Sequence, residues 1–442
     1  MVTYSRTQVI QHNTKTDCWI IVCNNVYDIS AFIAKHPGGM DVLLSRAGED
    51  ATSYFITQHG KNTSVIKQLE RFKIGELQHS DRVTANDFEE PFLMELIDRC
   101  IEQKLYQKSV WYQNSFFWIR TFLLFSFFAL SMFVLYAPMP KPVALLLVVF
   151  QALIGTSLFG LLAHEDTHLK VSNSVFLQYG LKLIWPVLWP FISQNPLRYE
   201  HNSHHIKIGD PQYDFEVAGF AQFIRYSTLV PFKAIHRLQH RLAIVFYPFY
   251  ANIITTIGGI KSQFWKLHNR QVTLTHNLSI FITFMYFIVF PSLLMGFSVW
   301  WVVFYLVYQC VLFYGIYIGS AINHFIPDAA VPIPDEHKNK YAYYICQNTS
   351  NFSLNSSFWF WYTGGFNVQI EHHLIPFIPA ENLRKMIPIV QELCTKYNYP
   401  YRHYSSFGAL WKDHYAYLAQ MASNTMPSEN PEAINKQSYQ AR

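Results

Sequence analysis

Leu161-Leu162-Ala163-His164-Glu165-Asp166-Thr167-His168 ends an oily run that begins near Pro142. A run of this kind is long enough to cross a bilayer, which takes roughly 20 apolar residues as a helix. It delivers two histidines, His164 and His168, at i, i+4 spacing, which on a helix share one face. Two neutral imidazoles so placed can hold one metal ion. Two further clusters follow, His201-Asn202-Ser203-His204-His205 and Gln369-Ile370-Glu371-His372-His373. His201, His204 and His205 have i, i+3, i+4 spacing and project together from a helix. The chain therefore reads as an α-helical integral membrane protein that gathers these clusters beside the bilayer.

Four stretches are long and apolar enough to span: about 121–137, 143–163, 279–296 and 298–321. The turns inside each pair are short and nearly uncharged, whereas the segment from Lys170 to Arg270 carries many Lys and Arg residues. The positive-inside rule places that segment in the cytosol. Two other oily pieces, 175–192 and 243–260, are broken by Pro186, Pro190, Pro248 and a Gly258-Gly259 pair. They read as helices lying in the interface, where Trp and Tyr concentrate. With four spans in two tight hairpins, the N-terminus, all three clusters and the C-terminus fall on one side. His324, just after the fourth span, emerges on that same face.

Composition agrees. Of 442 residues, 51% are hydrophobic and 17% aromatic, and only 14% are charged, against about 25% in soluble proteins. The net charge of +5 is spread along the chain, and no basic run points to nucleic acid. The six cysteines form no CxxC pair and read as free thiols in a reducing compartment. The N-terminus has no apolar signal-peptide core. His236 and His240 repeat the HxxxH spacing but are flanked by Arg237 and Arg241, so they read as the basic face of an interfacial helix. Asn348, Asn351 and Asn355 sit in sequons that cytosolic placement would leave unglycosylated. Residues 423–442 are polar and read as a disordered tail.

The division that follows is a small α+β domain over 1–78, a linker with an amphipathic helix over 79–114, and a membrane domain with a cytosolic helical cap over 115–422. In the first, Cys18-Trp19-Ile20-Ile21-Val22 reads as a strand, Asn24-Asn25 as a turn, and Val26-Tyr27-Asp28-Ile29 as resumed extended chain. Asp28 or Ser30 is expected to cap a short helix ending near Lys35. His36-Pro37-Gly38-Gly39 is a sharp loop, and His59 follows a helical stretch. Two imidazoles facing each other across an apolar slot could grip a haem from both sides, leaving no open position and hence electron transfer as its work. This segment resembles a cytochrome b5 domain, on Trp19, the His36 loop, and the Gly48-Glu49-Asp50-Ala51-Thr52 run before Phe55 and His59.

The three clusters with His324 and Gln369 offer enough donors for two metal ions with open positions. Such a histidine-rich site suits iron that activates oxygen, and cleaving an unactivated C–H bond needs a metal centre of that kind. Zinc has no redox chemistry and would leave the haem without a purpose. The clusters resemble those of membrane fatty acid desaturases, and specifically the front-end subgroup with a fused N-terminal cytochrome b5 domain. The most specific match is Trp361-Tyr362-Thr363-Gly364-Gly365-Phe366-Asn367-Val368-Gln369-Ile370-Glu371-His372-His373-Leu374-Ile375-Pro376, with glutamine where other desaturases have the first histidine of the cluster.

The resemblance implies haem b on His36 and His59, and two non-haem irons on His164, His168, His201, His204, His205, His324, His372 and His373, with Gln369 a weak contact. It implies dioxygen as co-substrate, NADH-cytochrome b5 reductase as partner, and an endoplasmic reticulum membrane. The substrate would be a lipid acyl chain, as acyl-CoA or phospholipid, receiving a cis double bond on the carboxyl side of an existing one. Glu165, Asp166, Glu200 and Glu371 are candidates to hydrogen-bond the outer imidazole nitrogens. The alternatives are a sphingolipid long-chain-base desaturase or lipid hydroxylase, and, from another class, a membrane-anchored electron carrier whose desaturase part is inactive.

Overall fold

Alternation along a single strand sets the N-terminal domain. In β3 (Asp17–Val22), Cys18, Ile20 and Val22 point into one apolar cluster with Tyr27, Ile29, Leu43 and Phe55, while Ile21 points into a second with Val9, Val26 and Leu77. That period of two is the strand's own geometry, and here both faces are covered. The other strands are β1 (Thr3–Tyr4), β2 (Asn13–Thr14), β4 (Asn25–Asp28) and β5 (Lys73–Leu77), giving a five-stranded sheet in the order β1-β5-β4-β3-β2. β3 and β4 pair antiparallel with Ile20 opposite Tyr27, and β1 joins β5 in parallel with Thr3 opposite Glu76. The sequence places the His36 helix cap at Asp28 or Ser30, but the 3-10 helix Ile33–Lys35 starts from Phe32 with no side-chain cap. Asp28 instead accepts the Ser30 backbone N–H at 3.0 Å and its hydroxyl at 2.6 Å, turning the chain locally before the helix begins.

The structure is a computed structural model and describes residues 2–59, 63–82, 90–107, 110–168, 183–190, 194–211, 213–248, 270–330, 333–337 and 340–423. Four helices are long and apolar enough to cross a membrane, in windows Trp118–Leu135, Lys141–His168, Asn277–Met295 and Val299–Asn323. These are the four spans that hydropathy indicates, and the chain is a membrane protein. They divide into an inner and an outer pair. Only 17% of each outer window, the first and the third, is buried, against 56% and 50% for the second and fourth. Phe122, Phe125 and Leu293 on the outer pair are exposed as lipid-facing residues would be. The inner pair crosses closely: the position of a Cβ on Gly155 lies 2.9 Å from the Tyr308 hydroxyl, so a larger residue there would hold the helices apart.

The second span does not stay α-helical. After Lys141–Leu158 it runs as a π-helix over Phe159–His164 before the last turn Glu165–His168. Such bulges re-aim side chains and recur at functional sites. The expected amphipathic helix forms over Pro91–Glu102, and its apolar face is covered by protein. Phe92, Leu93, Leu96 and Ile97 pack with Leu383, Met386 and Val390 of helix Ala380–Tyr397. Of the two oily pieces read as interfacial, 175–182, 191–192 and 249–260 lie outside the described residues, as does the tail 424–442. Trp185 and Trp189, between them, are buried in the core of the spans.

Candidate metal centre

Four separate segments deliver the histidines. The end of the second span supplies His164 and His168, helix Gln194–Ile206 supplies His201, His204 and His205, the turn after the fourth span supplies His324, and the short helix Gln369–Leu374 supplies His372 and His373. They resolve into two groups. The ligand atoms of His164, His168, His201, His205 and His372 all lie within 4.8 Å of one another, and so do those of His204, His324 and His373. The groups abut, with the rings of His205 and His373 stacked at 4.0 Å between centroids.

The spacing inside the larger group fits a metal ion better than hydrogen bonds. His201 Nε2 stands 2.9 Å from His168 Nε2 and 2.9 Å from His205 Nε2, and His372 Nε2 is 3.1 Å from His205 Nε2. Two nitrogens bound to one ion at right angles, with bonds of about 2.0–2.1 Å, are separated by about 2.9 Å. Each neutral Nε2 offers either one proton or one lone pair, yet in the chain His168–His201–His205–His372 the two middle nitrogens each face two neighbours, which one directional hydrogen bond cannot serve. Buried ring nitrogens that meet no hydrogen-bond partner among the described residues, His164 Nε2, His324 Nε2 and His373 Nδ1, complete the fit. Burial depresses proton affinity across the cluster: His201, His205, His324 and His373 all fall well below the ordinary range, and His372 falls to about 3. Neutral rings are the ligand form.

One ring behaves oppositely. Burial acts to lower His204 too, but the carboxylates of Asp214 and Glu216 outweigh it and push it up to about 9. Asp214 Oδ1 lies 3.1 Å from His204 Nδ1, with both side chains buried. Its own position is set by two backbone N–H groups, Gly209 at 2.7 Å and Glu216 at 2.9 Å, as it caps helix Phe215–Phe220. The histidine-poorer group therefore has negative charge beside it, where a cation is favoured. Sequence reasoning missed Asp214, because nothing local marks an acid ten residues after His204 as its neighbour.

Of the four acids singled out in the sequence, Glu165 and Glu371 make side-chain bonds to residues other than the clustered histidines. Glu165 forms a buried ion pair with Arg120. Glu371 accepts from Asn351 Nδ2 at 2.8 Å and from the Tyr401 hydroxyl at 2.8 Å, which anchors helix Gln369–Leu374 from behind. Asp166 and Thr167 offer their backbone carbonyls to Arg198. The side chain of Glu200 lies outside the described set. His324 is fixed by its Nδ1 against the carbonyl of Asn348 at 3.1 Å, which turns Nε2 inward. Gln369 is buried, and its Oε1 meets no partner among the described residues. His236 stands apart, capped by the Lys233 N–H and buried against the carbonyl of Ala221. Of the sequons, Asn351 is fully buried in the Glu371 network and serves the fold.

In the N-terminal domain the rings of His36 and His59 face each other at 6.2 Å between centroids. Two imidazole–metal bonds of about 2 Å each, with the ring radii added, span roughly that separation. The Gly39 carbonyl holds His36 Nδ1 at 3.0 Å, and a Cβ on Gly38 would come within 2.8 Å of the same ring, so glycine clears its place. Burial lowers both rings, His59 to about 4 with the nearby His36 charge adding to it. The slot is part of a cavity of about 360 Å³ whose wall also includes His168, Arg198 and Phe377 of the other domain.

Two family models match. Residues 139–405, more than half of the chain, match the fatty acid desaturase family, and residues 5–78 match the cytochrome b5-like heme/steroid binding domain. Among curated proteins, the chain is 25% identical to the acyl-lipid (8-3)-desaturase B of Dictyostelium discoideum, over 98% of this chain and 97% of that protein. It is 24% identical to the Delta(8)-fatty-acid desaturase of Borago officinalis, over 90% of this chain and 89% of that one. The N-terminal 20% is 40% identical to cytochrome b5 of Drosophila melanogaster, covering 66% of that protein. With haem on one domain and histidine-held di-iron on the other, this is an oxygen-dependent oxidoreductase, and the chain belongs to the fatty acid desaturase family with a cytochrome b5-like domain fused at its N-terminus.

Proposed function

We propose that the chain is a front-end acyl desaturase, inserting a cis double bond into an already unsaturated acyl chain of a lipid between the existing double bond and the carboxyl end. The observation that carries this reading is the convergence of eight histidines from four segments, at the nitrogen spacing of ligands sharing an ion. His164, His168, His201, His205 and His372 hold one iron, and His204, His324 and His373 the other. Gln369 adds a weaker contact beside them. His36 and His59 hold haem b in a domain spanning 1–78, joined through 79–114 to the membrane domain 115–422. The chain works in the endoplasmic reticulum membrane with its N-terminus, clusters and C-terminus cytosolic, and an NADH-dependent cytochrome b5 reductase supplies electrons.

The di-iron pair with dioxygen supplies the oxidising power that acid–base side chains lack. The stoichiometry is fixed: dioxygen, two electrons, two protons and two substrate hydrogens give one alkene and two waters. The protein's part is placement. Asn348 and Asp214 orient His324 and His204 through their outer ring nitrogens. The Glu371–Asn351–Tyr401 network sets the helix of His372 and His373. Phe366 packs on His164 at 4.3 Å between ring centroids and keeps an apolar wall against the ligands. The test is expression in yeast fed polyunsaturated acids, with lipids profiled by gas chromatography. A new, more unsaturated acyl product is expected, and it should vanish in His164→Ala while the haem spectrum stays. No new product from haem- and iron-loaded protein refutes the reading.

A further inference from the structure

The haem domain is fastened to the membrane domain at a contact that reaches the histidine clusters. Arg46 lies just beyond haem-domain helix Met40–Leu44. Its guanidinium sits over the Tyr54 ring at 3.6 Å from the centroid, bonds the Tyr54 hydroxyl, and pairs with Glu49 at 2.9 Å. From there it donates to the carbonyl of Ile206 at 3.3 Å, the last residue of the helix that carries His201, His204 and His205. Lys207 Nζ approaches Glu49 at 3.7 Å from the other side. Tyr213 donates to the Leu44 carbonyl at 3.4 Å. Tyr54 packs edge-on to Tyr341 at 4.9 Å, and Tyr341 donates to the carbonyl of His373 at 2.6 Å. Arg46 thus stands one hydrogen bond from the second cluster and two rings from the third. Beside this contact the slot of His36 and His59 runs on to His168.

We infer that Arg46 is a latch that keeps the haem slot facing His168, so that the histidine centre is reduced from within the chain at its five-histidine group. With haem held by His36 and His59 and iron by the five-histidine group, each transfer would move one electron and break no bond, a ferrous haem becoming ferric as a ferric site became ferrous, twice per turnover. An arginine suits the position. Its planar fork can lie on an aromatic ring, pair with a carboxylate and donate to a carbonyl at once, which an ammonium group cannot do. The inference rests on the metal and haem assignments proposed above.

The test uses full-length, haem- and iron-loaded protein, reduced without oxygen by dithionite and mixed with oxygenated buffer containing substrate. Haem reoxidation is followed by stopped-flow absorbance. Arg46→Glu should slow it at least tenfold, with Soret spectrum and iron content unchanged, and Arg46→Lys should fall between. Tyr213→Phe, which removes one hydroxyl at the same contact, should slow it in the same direction by less. Reoxidation at the wild-type rate in loaded Arg46→Glu overturns the latch. So does loss of haem or iron in both Arg46 variants, since Arg46 would then serve folding alone. If iron-free wild-type protein reoxidises its haem as fast as the loaded form, the metal assignment itself has failed, and the latch falls with it.

Discussion

Gly160→Ala should weaken iron retention and lower turnover while leaving the haem in place. Gly160 lies in the π-helix that ends at His164, and its backbone touches that of Gly364, five residues before Gln369. A Cβ at Gly160 would come within 2.4 Å of the Thr363 carbonyl oxygen and 2.6 Å of Gly364 Cα. The closest comfortable C···O approach is about 3.3 Å, so the two segments must part by about 1 Å. Both neighbours are backbone and cannot swing aside. Overpacking of this kind costs about 1–3 kcal/mol of stability, which a chain of this size survives. Metal–ligand distances, however, hold only within about 0.2 Å, and the strain falls between His164 on one side and His372 with His373 on the other. A misplacement of that size at a reacting centre lowers turnover by about 10²-fold. The assay is iron per chain by plasma mass spectrometry, products by gas chromatography, and the Soret band as internal control. Gly408→Ala, where the nearest atom is 3.9 Å away, should change nothing. Full iron and full turnover in Gly160→Ala would refute the argument that this contact sets the distance between the first and third clusters.

Asp214→Asn should keep the haem but bind about one iron per chain where the wild type binds two. Changing such an outer carboxylate lowers metal affinity about 10- to 100-fold, which a metal titration reads directly. Asn351→Ala removes a donor to buried Glu371 and should cost about 1–3 kcal/mol, seen as a lower midpoint of thermal unfolding together with weaker iron retention. Acid should release the haem. His59 is lowered to about 4 by burial and by the charge of His36, against about 6.5 in an unfolded chain. In that window the unfolded state binds the extra proton, so stability rises with pH and is lost on acidification. The Soret band should hold from pH 8 to 7 and decline as pH falls from about 6.5 toward 4; a band unchanged across that fall would count against neutral, buried haem ligands.

What the sequence made legible was what repeats or is local. Apolar runs located all four spans to within a few residues, because length and oiliness are summed over a window and tolerate error at the ends. The His36 loop, His59 and the three clusters were readable because each is a short pattern with its own chemistry. His324 was readable by the parity of the spans. The rest depends on chain segments far apart. Nothing near Gly160 announces its contact with Gly364, and no spacing rule ties Asp214 to His204 or Arg46 to Ile206. The π-helix at Phe159–His164 hides for another reason: its sequence is as apolar as the α-helix before it. The cap expected at Asp28 failed because a side chain that can cap a helix can equally bend its own turn.

The uneven split of the imidazoles among the described residues, five against three, carries a consequence for iron loading. The three-histidine group also has the carboxylates of Asp214 and Glu216 grouped with His204, so the two positions differ in donor type and in charge. When iron runs short, the two ions would not leave together. A chain that kept its haem but carried a single ion would be folded, coloured and inactive.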